Sequence, residues 1–105
     1  MTTPDTNPVV HVVEVREGLV QVEYRNGLTL SVGTSDSHYS VKLYGATLTV
    51  EVAVIHPKRG LLQISEYDTV AQLDIPTFEQ LCDRMLTLPV DTEEAAGLLV
   101  HWADL

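Results

Sequence analysis

From Val9 to Leu61 apolar and polar positions alternate with a period of two, which predicts strands half-buried in a sheet. Val10, Val12 and Glu14 alternate with His11, Val13 and Val15. The density of β-branched residues there predicts a strand covered on both faces. Arg16-Glu17-Gly18 is a turn, and Leu19 to Tyr24 is the second strand. Asn26-Gly27 predicts a two-residue type I′ hairpin turn, because both residues tolerate positive φ. After it, Leu28, Leu30 and Val32 point to the core, and Thr29 and Ser31 to solvent. Gly33 to Ser37 is a polar loop, and His38 to Tyr44 is a strand that Gly45 ends. Thr47 to Ile55 is a long strand with Leu48, Val50, Val52 and Val54 on one face. Ala53 and Ile55 make its other face apolar, which predicts a central strand. His56 to Gly60 is a turn, and Leu61 to Ser65 pairs back. Tyr67 to Ile75 reads as an extended crossing or a short edge strand, and Pro76 ends the extended portion.

The period then becomes helical. Thr77-Phe78-Glu79-Gln80 reads as a capping box, followed by an apolar stripe of Phe78, Leu81, Cys82 and Met85. Pro89 ends that helix. Asp91-Thr92-Glu93-Glu94 caps a second, whose stripe is Ala95, Leu98, Leu99 and Trp102. Strands followed by helices predict an α+β fold. An antiparallel sheet of five or six strands, about residues 9–65, precedes two C-terminal helices at about 77–88 and 92–104. Residues 1–8, polar and without an apolar period, are expected to be a flexible tail, and 9–105 a single domain.

Charge changes the picture more than composition does. The net charge is -9 over 105 residues. Residues 1–65 hold six acids and five bases, whereas residues 66–105 hold nine acids and one base, Arg84. The C-terminal part is therefore strongly negative, which disfavours direct nucleic-acid binding and favours basic partners. Solubility alone would also explain acidic helices. No apolar run approaches the roughly 18 residues of a membrane span. The N-terminus lacks a basic stretch followed by an apolar one, so a cytoplasmic placement is expected.

Candidate chemistry is sparse. His11, His38, His56 and His101 lack metal-ligand spacing, and His11 and His56 read as ordinary surface or edge residues. Cys82 sits in an apolar stripe beside Glu79 and Asp83, which oppose a thiolate. No metal, cofactor or catalytic residue is predicted, and a non-enzymatic role is expected. Two places could hold an anion: the loop with Thr34, Ser35, Ser37 and His38, and the turn with Lys58 and Arg59. A solvated loop and a charged turn are the ordinary readings of both. The candidate partner-binding acids are Glu66, Asp68, Glu79, Asp83, Glu93 and Glu94.

The series Tyr24-Arg25-Asn26-Gly27, Ser31-Val32, Glu51-Val52-Ala53-Val54 and Tyr67-Asp68-Thr69, then the helix Thr77 to Met85, resembles a family of small tailed-bacteriophage accessory proteins. The resemblance covers roughly residues 24–86. Thr29 stands where that family often has glycine, and the second helix is extra. The resemblance implies a phage or prophage origin and expression inside a bacterium, and no site residue. With the charge, it leads to an expected acidic binder of a host protein with a basic surface, most specifically an inhibitor of an antiviral defence system. The alternatives are a sponge for a small nucleotide signal, formed at an oligomer interface, and a virion structural or assembly protein. Self-association is a further expectation.

Overall fold

A computed structural model describes residues 8–33, 42–43, 46–47, 49–64, 70–100 and 102. The strands are β1 (Val9–Arg16), β2 (Leu19–Tyr24), β3 (Thr29–Gly33), β4 (Lys42–Leu43), β5 (Ala46–Thr47), β6 (Thr49–His56), β7 (Gly60–Leu61) and β8 (Val70–Asp74). The helices are α1 (Ile75–Thr87) and α2 (Thr92–Leu99). All pairings are antiparallel. The main sheet runs β1-β2-β3-β6, and the far edge of β6 is shared: β8 pairs with Thr49–Ala53 and β7 with Ile55–His56. A separate two-stranded ladder joins β4 to β5. The fold is α+β, a sheet with two C-terminal helices.

The alternating residues explain the layering. Register places Val22, Leu30 and Val54 in one row across the sheet and Val20, Val32, Val52 and Ala71 in the next. Leu30, Val52 and Val54 are fully buried in one cluster with Leu81 and Met85 of α1 and Ala95, Ala96 and Leu99 of α2. Both helices therefore contribute to the core formed on this face of the sheet. β6 is central, as its two apolar faces predict.

Several local expectations are corrected. β1 is not covered on both faces: Val10, Val12 and Val15 are 65%, 58% and 51% exposed. β-branched residues suit a covered strand, but β1 is the end strand of the sheet, bulged between Val9 and His11 and between Glu14 and Arg16. The β2–β3 turn is not a two-residue type I′ turn. Gly27 N–H donates to Tyr24 C=O and Tyr24 N–H to Leu28 C=O, so three residues, Arg25 to Gly27, form the loop. Only the last needs positive φ, and Gly27 supplies it at +90°. Thr29 and Ser31 are half-buried rather than solvent-facing. Of Tyr67 to Ile75, the part from Val70 to Asp74 is a short strand. Of the strand expected from Leu61 to Ser65, the described part pairs with β6 as a strand at Gly60–Leu61, and Leu62 N–H adds one hydrogen bond to Val54 C=O. Of the expected strand His38 to Tyr44, Lys42–Leu43 are described and the rest lies outside the described residues, as do residues 1–7.

The expected capping box at Thr77 is also replaced. Asp74 caps α1, accepting from Thr77 N–H at 2.9 Å, so Thr77 donates rather than accepts. Pro76 lies in the first turn, where it costs no hydrogen bond, and the helix begins before it. The next helix is capped by Asp91, as expected, which accepts from Glu94 N–H at 2.9 Å. It ends at Leu99 rather than 104, and its buried stripe is Ala95, Ala96 and Leu99, with Leu98 exposed. On α1, Leu81 and Met85 are fully buried while Phe78 and Cys82 are half-buried at the margin.

The Asp74 cap makes one pH-dependent prediction. Hydrogen bonds from the Thr77 side chain and backbone hold the Asp74 carboxyl below its ordinary value of 3.8. A lowered folded-state value means that the cap's charged contribution is complete above the unfolded value and fades as pH falls through the folded one. Asn caps well but does not titrate. The difference in melting temperature between the parent and Asp74→Asn is therefore expected to be set above pH 3.8 and to shift against the parent in stronger acid. Melting curves across that range check it. A difference that is constant with pH refutes the capping role.

Candidate functional site

Two sets of polar residues stand out, one exposed on the helices and one joining three turns. The exposed set begins on α1. Glu79 and Asp83 are one helical turn apart and both exposed. Among the described residues no cation lies within ion-pair distance of either. Their charges, after burial, push the Cys82 thiol above its ordinary value, with Asp83 the stronger of the two. Cys82 is thereby held as a thiol, the reverse of what a nucleophile needs. Tyr24, buried beneath, is pushed up to about 12, first by burial and then by Cys82. At the start of α2, Asp91, Glu93 and Glu94 are all exposed.

Glu93 differs from Glu79 and Asp83 because it is engaged by side chains of β6 and the β6–β7 turn. Its Oε1 lies 2.8 Å from His56 Nε2, and its Oε2 accepts from Arg59 at 2.9 Å. The His56 ring is 2% exposed, which corrects its reading as a surface or edge residue. The pattern carried the signal: His56 continues the buried phase of Val50, Val52 and Val54. Its Nδ1 accepts from the backbone N–H groups of Lys58 and Arg59 at 3.0 and 3.1 Å. A nitrogen that accepts two hydrogen bonds carries no proton, so Nε2 carries it and donates to Glu93. Both nitrogens are committed. His56 therefore offers neither a lone pair to a metal nor a free site for proton transfer to a substrate.

The same corner holds a second connection that the sequence did not reveal. Asn26, almost fully buried, accepts at Oδ1 from Leu28 N–H and donates from Nδ2 to Pro89 C=O at 3.2 Å. The Thr92 hydroxyl donates to Asn26 C=O. A Cβ on Gly27 would stand 3.3 Å from Pro57 Cγ and 3.4 Å from Thr92 Oγ1. Three turns thus meet: the β2–β3 loop, the β6–β7 turn and the α1–α2 connection. Among the described residues every buried side-chain nitrogen and oxygen has a partner. The corner is a joint that fixes α2 and its acids relative to the sheet.

Lys58 is exposed and lines a cleft of about 190 Å³ with His56, Pro57, Asp91, Thr92 and Glu93. Ligand pockets usually hold roughly 300–1,000 Å³, and two carboxylates line this cleft. Arg59 is already paired with Glu93, so an anion would compete with that carboxylate. Thr34, Ser35, Ser37 and His38 lie outside the described residues, as do Glu66, Asp68 and His101. Among the described residues no group of three or more His, Cys, Asp or Glu side chains is placed to hold a metal ion, and no helix is long and apolar enough to cross a membrane. No protein family, no curated protein and no solved structure matches the chain.

Proposed function

We propose that this chain is a small, acidic, non-enzymatic binding protein of bacteriophage type, whose acidic helices dock on a basic surface of a host protein. The observation that carries this reading is the exposure of Glu79 and Asp83 on one face of α1, without a cation paired to either among the described residues. Ion pairs would quench such a charge, and a core-facing helix needs none on its outer side. The net charge of residues 66–105 extends the negative field beyond these two side chains. A basic surface that normally holds nucleic acid is the natural complement, because its lysines and arginines are spaced for a chain of negative charges. The resemblance of residues 24–86 to phage accessory proteins favours a bacterial defence complex as the owner of that surface. The joint at His56 and Asn26 supports the reading by holding α2 and its acids in a fixed place.

The test is capture of basic, nucleic-acid-binding proteins from bacterial lysate at low salt, with the parent and two double variants. Glu79→Lys with Asp83→Lys is expected to lose the captured protein, and the salt sensitivity of capture with it. Glu14→Lys with Glu23→Lys, which lies in the charge-balanced half, is expected to retain it. If both double variants capture the same proteins as the parent, the acidic helix is not the binding surface and the proposal fails.

A further inference from the structure

The exposed apolar residues of the chain are unevenly placed, and β1 holds three of them: Val10, Val12 and Val15. Register shows what Val12 belongs to. It pairs with Val22, which pairs with Leu30, which pairs with Val54. This apolar row crosses four strands on the core face. It is fully buried at Val54 and Leu30, half-buried at Val22, and 58% exposed at Val12. Beyond Val12 the row stops, because β1 ends the sheet and no described strand pairs with its outer side. An outer strand presents unpaired backbone N–H and C=O groups, and β1 lacks the lysine or proline that commonly blocks pairing there.

We propose that β1 is a self-association edge, on which the β1 strand of a second copy pairs antiparallel about a two-fold axis at Val12. Charge selects a second copy over the basic partner assigned to the helices. Two copies must keep their acidic C-terminal parts apart, and β1 lies in the half of the chain that carries only one net negative charge. The single acid and single base of β1, Glu14 and Arg16, cancel. Geometry selects the centre. An axis normal to the sheet keeps every residue on its own face, so opposed residues in the regular stretch from His11 to Glu14 must have the same parity. Centring on Val12 opposes the two Val12 side chains and His11 to Val13, and it continues the apolar row from one sheet into the other. Centring on Val13 would set Glu14 against Val12 and bring the two Glu14 carboxylates to diagonal positions on one face. The bulges at both ends confine regular pairing to the middle of the strand. One short strand pair falls below the roughly 1,200 Å² of a stable interface, so the dimer is weak and concentration-dependent.

Sedimentation equilibrium over a range from micromolar to near-millimolar chain tests this directly. The parent is expected to pass from monomer to dimer, and added salt to strengthen the dimer by screening the net charge of -9. Val12→Lys places two ammonium groups opposite one another and is expected to weaken association by about tenfold or more. Val90→Lys alters an equally exposed apolar residue outside the sheet and is expected to leave association unchanged. Both positions are on the surface, and an unchanged melting temperature confirms that each variant is folded. In a Cys82→Ser background, Val12→Cys is expected to give a covalent dimer on mild oxidation, because directly opposed Cβ atoms are within disulfide reach. A parent that stays monomeric throughout, or a dimer that survives Val12→Lys, overturns the proposal.

Discussion

Leu81→Ala is expected to lower stability by about 2–5 kcal/mol, the largest loss at any single position on α1. Leu81 is fully buried where α1 meets the sheet, among Leu30, Val54, Met85 and Leu99. Truncation removes the transfer free energy of three methyl and methine carbons and leaves a cavity that flanking strands cannot close without breaking their ladders. A chain of this size loses about 4–8 °C of melting temperature per kcal/mol, so a fall of roughly 8–40 °C follows. Urea unfolding should show the midpoint moving with the slope unchanged. Phe78→Ala removes more atoms but from a half-buried site, and is expected to cost less. If Phe78→Ala proves the more damaging, α1 is rotated about its axis from the orientation described.

The second large effect is expected at His56. Replacement by Leu keeps much of the volume but removes the Nδ1 acceptor and the Nε2 donor together. The N–H groups of Lys58 and Arg59 then lose their partner at a partly buried site, and Glu93 loses one of its two. Leaving buried donors unsatisfied costs about 1–3 kcal/mol. Glu93→Gln is expected to cost less, since Glu93 is 67% exposed and water replaces what is lost. In a double-mutant cycle of His56→Leu with Glu93→Ala the two changes should not add, because each removes the same 2.8 Å contact. Additive losses would mean that His56 acts only through its own turn and does not hold α2. Hydrogen exchange at Lys58 and Arg59 reads the turn separately, and should speed up in His56→Leu but not in Glu93→Gln.

The period-two and helical patterns were enough to locate β2, β3, β6, α1 and α2, because burial on one face leaves its mark on alternate or every third and fourth residues. They were weaker wherever the same residues suit two environments. The valines of β1 look like core because β-branched residues suit any strand, and the pattern of one strand does not say how many neighbours it has. The cap of α1 was displaced by three residues because Pro76 reads equally well as the end of a strand and as part of a first helical turn. Three consecutive residues, Asp74 to Pro76, decide between the two, and the Thr77 hydroxyl is an equally good cap on sequence grounds. Leu98 is exposed because Ala96, with a side chain too small to mark a stripe, takes the buried position. At the functional level, the exposure of Glu79, Asp83 and Glu94 follows from their place opposite the apolar stripe. The engagement of Glu93 does not, because its partners are 37 and 34 residues away. Asn26 is the same case: read as a turn residue, it also carries a hydrogen bond across 63 residues to Pro89.

Those separations bear on the order in which the chain can assemble during synthesis. The hairpin of β2 and β3 closes through local contacts, and β6 joins it after a further twenty or so residues. Asn26 Nδ2 and C=O, however, are paired only when Pro89 and Thr92 have left the ribosome, and His56 Nε2 only when Glu93 has. Until then an amide side chain and a ring nitrogen destined for the interior remain hydrated at a half-built corner. The stretch from Pro89 to Glu93 therefore acts as a keystone: the sheet can form early, but its buried polar corner closes only once that stretch is in place. Contacts this distant in sequence also slow folding, since loop closure must precede the contacts that reward it.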